Sequence, residues 1–370
     1  MNKFVSLSIA ITASTLTIGT APVYAADSDL DFSQMFVFGD SLSDPGNTNG
    51  TGNADIYFEG RASNGNVFTD IVASHLELDP LTFYKPNRGG ARSDGANFAK
   101  GGNNSGDNGL GKQLNSFLGY LEGESANSNA LYTLWIGSTD YLSGTKDYIA
   151  GNSPDIVDTT VENVIDGIRD LYNVGARDFL IPNLLSFTNS DFHKIQGIDE
   201  KIFNQLTDDH NQKLELEIAE FEEEFSEVTI TLLDVNSTFD NILENPGEFG
   251  FTNVTDSWLE CDNKFRCDVN LADPAAPDGN LSDENLSDGY LYWDYIHPTT
   301  KFYQLIANEA ISALNSEYNQ AVPENNQAVP EYSQDVPEPT SILSLLGLGL
   351  SFLGTSAFKQ KDKQKQKQKV

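Results

Sequence analysis

The chain has 370 residues and carries 55 Asp and Glu against 22 Lys and Arg, a formal net charge of −33. This acidity excludes the broad basic surface that binding to nucleic acid or docking on an anionic membrane requires. Hydrophobic residues make up 39% of the chain, which supplies enough apolar side chains for a large globular core. The two Cys are too few for a disulfide scaffold or a multi-cysteine metal site.

Residues 1–26 have the pattern of a secretory signal peptide. Lys3 precedes an uncharged, mostly apolar stretch over residues 4–20, and Val23-Tyr24-Ala25 ends in the small residue that signal peptidase requires. A permanent membrane anchor is the alternative, but the stretch is short and leads into this cleavage pattern. We therefore expect signal peptidase to remove the segment and the chain to be exported to the cell envelope surface or the extracellular space.

The middle of the chain alternates between apolar runs and helical patterns. Short apolar runs bounded by turn residues predict strands over residues 34–38, 96–99, 131–136, 178–181 and 228–235. Apolar residues at the helical period predict helices over residues 156–172, 202–225 and 301–314. Strands that alternate with helices of this length form a parallel sheet covered on both faces, and such a sheet binds its ligands at the carboxyl ends of its strands.

Chemically active residues follow these predicted strands. Ser41 comes just after the first strand, the glycine pair at residues 101–102 after the second, and a short polar turn at residues 137–140 after the third. Asp294 and His297 follow the last predicted strand across a long connection. At one sheet edge, these residues supply the parts of a nucleophilic hydrolase: an attacking hydroxyl, backbone donors for an oxyanion, a base and a group that orients the base.

Over roughly residues 33–315 the chain resembles the GDSL, or SGNH, family of esterases and lipases. The segments that carry the resemblance are residues 39–42 (Gly-Asp-Ser-Leu), 95–102, 137–140 and 294–298, with 60–65 and 181–184 as further family-like segments. The segments occur in the family's order, and the chain has no G-x-S-x-G motif, which argues against the α/β-hydrolase fold. The resemblance implies an α/β fold: a three-layer α/β/α sandwich with a mainly parallel five-stranded sheet, the flavodoxin-like fold of SGNH hydrolases.

The resemblance also implies a role for each site residue. Ser41 matches the family's nucleophile, His297 the general base and Asp294 the residue that orients the base. The backbone N–H groups of Ser41 and Gly102 match donors of the oxyanion hole, and glycine at position 102 leaves no Cβ in the way of the intermediate. We expect no cofactor and no metal site.

At one position the chain departs from the family pattern. Thr139 stands where the family has an Asn whose side-chain amide is a further oxyanion donor. Loss of one such donor costs about 10²–10³ in rate. Three outcomes follow: Thr139 donates through its shorter hydroxyl or through water, Asn103 or Asn104 replaces it, or the activity is weak.

The C-terminus is predicted to be a targeting segment rather than part of the folded domain. Residues 316–339 hold a seven-residue repeat whose regular prolines predict an extended linker. Residues 340–370 contain an uncharged apolar segment, about the length of one bilayer span, and a Lys-rich tail. Pro-Glu-Pro ahead of such a segment resembles the PEP-CTERM sorting signal, which implies a transient membrane span and processing by an exosortase. A permanent single-span anchor is the alternative.

Two further features precede the Asp/His pair. Cys261 and Cys267 are expected to form a local disulfide, since the chain is exported. Residues 268–288 hold many Asp and Asn and predict a solvated loop. Calcium binding is the less favoured alternative there, because the EF-hand pattern lacks its glycine at the sixth position.

Together these patterns predict an exported serine hydrolase that cleaves small-molecule, lipid or glycan esters through an acyl-enzyme. A carbohydrate O-acetylesterase acting on envelope polysaccharide is the alternative within the same chemistry. A surface or matrix binding protein that keeps the fold but has lost turnover is the alternative from another class, and the departure at Thr139 is its reason. No nucleic-acid partner is expected.

Overall fold

The computed structural model describes residues 30–48, 56–186, 190–262, 267–269, 287 and 289–321. The predicted signal peptide at residues 1–26 and the predicted sorting segment at residues 340–370 lie outside these ranges, as does most of the predicted linker. Within the ranges, no helix is both long and apolar enough to cross a membrane.

The described part of the chain is built on one parallel sheet of six strands. The strands are β1 Gln34–Gly39, β2 Pro80–Thr82, β3 Ala91–Asn97, β4 Ala130–Trp135, β5 Asp178–Pro182 and β6 Thr229–Leu233. Their order across the sheet is β2-β3-β1-β4-β5-β6, with Phe36 of β1 beside Ala96 of β3 and Tyr132 of β4. All side chains of β4 are buried, as expected for a central strand of a parallel sheet.

The α/β fold class predicted from the sequence is confirmed, but the predicted number of five strands is wrong. The additional strand is β2, a three-residue edge strand that begins with Pro80. An edge position tolerates the missing N–H of proline, and three residues are too few to form a recognisable apolar run. The sequence pattern also misses the first residues of β3, because Arg92 and Ser93 are polar and exposed.

Among the described residues there are eight α-helices. They are α1 Phe68–His75, α2 Leu110–Leu121, α3 Ser138–Ile149, α4 Ile156–Val174, α5 Asp191–Gln196, α6 Glu200–Glu224, α7 Val235–Glu244 and α8 Thr300–Ala321, with short 3-10 turns at Phe58–Gly60, Pro86–Arg88 and Pro246–Phe249. The three predicted helices correspond to α4, α6 and α8. Helix α8 continues beyond residue 315, where the sequence pattern ended the domain, because the next proline is Pro323.

Alternate side chains of the strands enter two separate hydrophobic cores. Met35 and Val37 of β1 pack on one face of the sheet with residues of α1, α7 and α8. Phe36 and Phe38 pack on the other face with residues of α2, α4 and α6. Because side chains alternate along a strand with a period of two, helices on both faces make this domain the three-layer sandwich that the sequence predicted.

Two small sheets support the segment that precedes α8. Strand β7 (Asn253–Ser257) pairs in parallel with β10 (Tyr290–Tyr292), and β8 (Leu259–Cys261) pairs antiparallel with β9 (Cys267–Val269). Cys261 and Cys267 are joined by the predicted disulfide. The N–H of Leu259 donates to the carbonyl of Trp293 at 2.9 Å. This part of the chain therefore holds the turn that begins at Asp294.

Candidate active site

Ser41 lies in a tight turn at the carboxyl end of β1, in the middle of the sheet. The side chain of the fully buried Gln113 pairs with the last residue of that strand, accepting from the N–H of Gly39 at 2.9 Å and donating to its carbonyl at 2.7 Å. The Asp40 carboxylate then accepts the N–H of Leu42 at 3.0 Å. These bonds fix the backbone on both sides of the Ser41 hydroxyl.

The structure brings Ser41, His297 and Asp294 into one chain of hydrogen bonds. Ser41 Oγ lies 2.8 Å from His297 Nε2, and His297 Nδ1 lies 2.8 Å from Asp294 Oδ2. With the Nδ1 proton on the carboxylate side, Nε2 is left to accept the hydroxyl proton of Ser41. This is the geometry that a serine nucleophile and its base require.

The three-residue spacing between Asp294 and His297 produces a local turn. Asp294 Oδ1 accepts the backbone N–H groups of Ile296 at 2.9 Å and of His297 at 2.8 Å. The same carboxylate therefore shapes the turn and contacts the imidazole that the turn presents. The side chain of Asp294 is completely buried, so solvent does not compete for these contacts.

The electrostatics of the pair suit a charged carboxylate beside a basic imidazole. Burial raises the pKa of Asp294, but the charge and hydrogen bonds of His297 outweigh burial and hold that pKa below its usual range. Burial likewise lowers the pKa of His297, but the charge and hydrogen bond of Asp294 outweigh it and raise that pKa above its usual value.

The loop after β3 brings Gly102 to the same cleft as Ser41. The Asp44 carboxylate anchors this loop by accepting the N–H of Gly101 at 2.8 Å. Gly102 has a φ of +76°, and a Cβ added there would meet no atom within 4 Å. Its glycine is therefore required by the left-handed backbone rather than by crowding from the protein. Among the described residues, none accepts a hydrogen bond from the N–H of Ser41 or Gly102, so both donors remain available.

Thr139 lines this cleft, but not on the short turn that the sequence predicted. Residues 138–140 form the first turn of α3, and Asp140 in that turn accepts the N–H and the hydroxyl of Ser105 at 2.8 and 2.9 Å. The two segments that flank the cleft are thereby tied together. The two alternative donors, Asn103 and Asn104, do not line the cleft, and Asn103 accepts a hydrogen bond from Gln113 at 3.0 Å.

A cleft of about 440 Å³ opens beside Ser41. Its lining includes a mostly apolar wall that combines α3, α5 and the turn before His297, formed by Leu142, Phe192, Tyr295 and Ile296. Tyr57 and Arg61 also line the cleft. Sequence reasoning missed Phe192 and Tyr57 as site residues. Arg61 lies in the family-like segment at residues 60–65 and Tyr295 in the segment at residues 294–298, and each was signalled only as part of its segment.

Two buried carboxylates lie close to Ser41 in the sequence. Burial raises the pKa of Asp40 to about 7, and its Oδ2 has no hydrogen-bond partner within the described part of the chain. Burial also raises the pKa of Asp44, whose place in a Ser-Asp-Pro-Gly-Asn segment predicts a residue that fixes a loop. That role is confirmed, because Asp44 Oδ1 accepts the N–H groups of Gly46 and Asn47 at 2.8 and 2.5 Å.

Comparison with known proteins points to one family. The profile of the family described as GDSL-like Lipase/Acylhydrolase matches residues 35–310. The GDSL esterase/lipase EXL6 of Arabidopsis thaliana is 26% identical over 332 residues, which covers 78% of this chain and 92% of that protein. The phosphatidylcholine-sterol acyltransferase of Aeromonas hydrophila is 25% identical over 80% of this chain and 94% of its own length. Among solved structures, the acetylxylan esterase Axe2 of Geobacillus stearothermophilus superimposes with a TM-score of 0.41 and 11% identity, covering 76% of this chain and 94% of that one.

Proposed function

Because the chain belongs to the GDSL-like lipase/acylhydrolase family and is an ester hydrolase of the GDSL type, we propose that Ser41, His297 and Asp294 carry its reaction. The observation that supports this assignment is the unbroken hydrogen-bonded chain from Ser41 Oγ through His297 to Asp294, at the edge of an apolar cleft. The reaction is the hydrolysis of a carboxylic ester through an acyl-enzyme on Ser41.

In the acylation step, Ser41 Oγ attacks the ester carbonyl carbon while its proton passes to His297 Nε2. The Asp294 carboxylate stabilises the imidazolium that results, since it already accepts a hydrogen bond from Nδ1. When the tetrahedral intermediate collapses, the ester C–O bond breaks and His297 returns the proton to the leaving alcohol. The acyl group stays on Ser41 Oγ.

The negative oxygen of the intermediate is held by hydrogen-bond donors that line the same cleft. The N–H groups of Ser41 and Gly102 are assigned this role, because both residues line the cleft and neither N–H has another acceptor in the described structure. We assign the third donor to the hydroxyl of Thr139, which lines the same cleft. Such preorganised donors act on charge that develops only during the reaction, and they therefore lower the barrier.

Water completes the cycle by the same path in reverse. It loses a proton to His297 and attacks the acyl carbon on Ser41. When this second intermediate collapses, the bond between the acyl carbon and Ser41 Oγ breaks, His297 returns the proton to Oγ, and the carboxylic acid leaves. The base must be neutral for both steps, and Asp294 raises the pKa of His297. The rate is therefore expected to fall as the pH drops, with a midpoint above the ordinary histidine pKa of about 6.5.

The lining of the cleft favours esters with an apolar acyl or alcohol group. Leu142, Phe192 and Ile296 offer apolar contact area beside the nucleophile, and burial of apolar surface contributes about 25 cal/mol per Å². An esterase or lipase acting on such esters is therefore the proposed function. A panel of p-nitrophenyl esters of increasing chain length, tested beside an acetylated polysaccharide, distinguishes it from a glycan O-acetylesterase.

A serine-directed fluorophosphonate probe tests the assignment of the nucleophile. The folded wild-type protein should be labelled, and Ser41→Ala should abolish both labelling and ester hydrolysis. A matched control is Ser143→Ala, because Ser143 also lines the cleft but donates its hydroxyl to the carbonyl of Thr139 at 2.7 Å. Labelling that survives in Ser41→Ala would show that another residue is the nucleophile.

We also propose that the protein acts outside the cytoplasm. The Cys261–Cys267 disulfide supports export, because disulfides persist in oxidising compartments. Mass spectrometry of the protein recovered from cell envelope and medium tests the proposal. The mature chain should begin after residue 25 or 26 and lack the apolar segment and Lys-rich tail of residues 340–370. A full-length chain recovered from the cytoplasm would contradict it.

A further inference from the structure

We infer that Tyr57 is a positioning residue that holds the Asp294 carboxylate in place and weakens its attraction for the Nδ1 proton of His297. The inference rests on the proposed function of the Asp294–His297 pair. Tyr57 donates its hydroxyl to Asp294 Oδ2 at 2.8 Å, although the two residues are 237 positions apart in the sequence. Both side chains are buried.

Tyr57 contributes a hydrogen bond of a different kind from the others at this carboxylate. The N–H groups of Ile296 and His297 and the imidazole of His297 all belong to the turn that Asp294 itself shapes. Among the described residues, Tyr57 is the donor that reaches Asp294 from outside this turn. It therefore fixes the carboxylate relative to the rest of the domain, whereas the other donors move with the turn.

The position of Tyr57 is itself secured. Its ring belongs to a small buried cluster with Trp258, Leu259, Cys267 and Trp293. The indole of Trp293 donates to the carbonyl of Ile56 at 3.1 Å. A second link lies on the other side of Tyr57, where the hydroxyl of Ser63 donates to the carbonyl of Pro298 at 3.0 Å. The segment that carries Tyr57 is thus bonded to the Asp/His segment at both ends.

The hydrogen bond from Tyr57 also weakens the electrostatic attraction between the Asp294 carboxylate and the imidazolium of His297. A hydrogen bond from a neutral phenol stabilises the carboxylate and draws electron density toward Oδ2. Without that bond, the carboxylate interacts more strongly with the imidazolium, and His297 gives up its proton at a higher pH. Other titratable groups face this pair: Asp40 at the end of β1, Tyr295 in the turn and Tyr303 on α8. The Tyr57→Phe substitution leaves all three of these residues in the chain, so the variant differs from the wild type only in the hydroxyl at position 57.

Tyr57→Phe is the matched test, because it removes one oxygen and keeps the ring that lines the cleft. Measured on p-nitrophenyl acetate, kcat should fall about tenfold with KM changed less than about twofold, as expected for a lost hydrogen bond to a charged group. The acid midpoint of the kcat/KM profile should rise by about half a pH unit. Tyr120→Phe is the control, since it removes a tyrosine hydrogen bond to the carbonyl of Arg92, near the start of β3, and neither residue lines the cleft.

The pKa of His297 can be measured without any ester hydrolysis, so it tests the role of Tyr57 independently of the proposed function. The chain has four His, and NMR titration of their ring protons, with His297→Gln for assignment, gives the pKa of His297 directly. A higher pKa of His297 in Tyr57→Phe supports the inference even if no ester is hydrolysed, an outcome that would contradict the proposed function. An unchanged pKa and an unchanged acid midpoint, in a variant with wild-type circular dichroism, would overturn the inference.

Discussion

Replacing Asp40 by Asn should change the way in which stability depends on pH. The Asp40 side chain is 1% exposed and stands next to the proposed nucleophile. Its Oδ1 accepts the N–H of Leu42, while its Oδ2 has no partner among the described residues. Burial therefore raises its pKa from 3.8 to about 7. An Asn side chain is of the same size, and its carbonyl oxygen accepts the N–H of Leu42 equally well.

The sign of the effect follows from where Asp40 binds its proton. Between a pH of 3.8 and about 7 the folded protein holds the proton and the unfolded chain does not, so wild-type stability falls as the pH rises. One pKa unit corresponds to 1.36 kcal/mol, and a difference of roughly three units gives about 4 kcal/mol from this group. The Asp40→Asn variant has an uncharged amide at this position and lacks this loss. The free energy of unfolding of the variant, relative to that of the wild type, should therefore rise by about 4 kcal/mol as the pH increases across this interval. Most of the rise should occur below pH 7.

Urea unfolding of both proteins, followed by circular dichroism at several pH values from about 4 to 8, measures this difference. Comparing the two proteins at each pH cancels the contributions of carboxylates that do not interact with Asp40, such as Asp178, whereas the charges of Asp140 and Asp44 themselves help to raise the pKa of Asp40. His297 has its pKa raised in part by the charge of Asp40, so the same pair in a His297→Gln background serves as the control. A free-energy difference that stays constant across this pH range would refute the argument from burial.

Three further predictions concern the cleft and its support. Thr139→Val should lower kcat on a short ester by about 10²–10³, because it removes the hydroxyl assigned as the third oxyanion donor; an unchanged kcat would show that Thr139 does not donate to the oxyanion. Gln113→Ala should lower the free energy of unfolding by about 1–3 kcal/mol, since it leaves the N–H of Gly39 unpaired in the interior, whereas the Gly39 carbonyl keeps the hydrogen bond that it accepts from the N–H of Lys100; a urea midpoint equal to wild type would contradict this. Phe192→Ala should raise the ratio of kcat/KM for an octanoate ester over an acetate ester, because it widens the cleft along its apolar wall. Leu142→Trp should lower the same ratio by filling that space, and a pair of variants that leave the ratio unchanged would place the acyl chain elsewhere.

The sequence alone predicted the layout of the domain because that layout follows from local periodicity. The apolar run of β4 and the helical stripes of α4 and α6 are long and regular, and each can be recognised without knowledge of its neighbours. Ser41 was found in the same way, since its identity and its position just after a buried strand are both local properties. The rule that parallel strands end at one edge then predicted that Asp294 and His297 would lie near it.

Short elements with few apolar residues were not predicted, because they show no local periodicity. The edge strand β2 has three residues, and α3 begins within the segment that the sequence showed only as a polar turn. Neither element displays a clear apolar period. Each forms because the sheet beside it supplies hydrogen-bonding partners or a surface on which to pack.

The tertiary structure alone determined which distant side chains surround the Ser41 hydroxyl. Tyr57 and Asp294 are joined by one hydrogen bond across 237 residues of chain, and Phe192 of α5 meets Tyr295 in the turn before His297 with ring centroids 6.4 Å apart. A sequence pattern carries the chemistry of a residue and the period of its neighbours, but contacts of this kind depend on how whole elements pack. The residues of the proposed triad could therefore be identified from their order and their types, whereas the shape of the cleft and the partner of the Asp294 carboxylate appear only once the chain is folded.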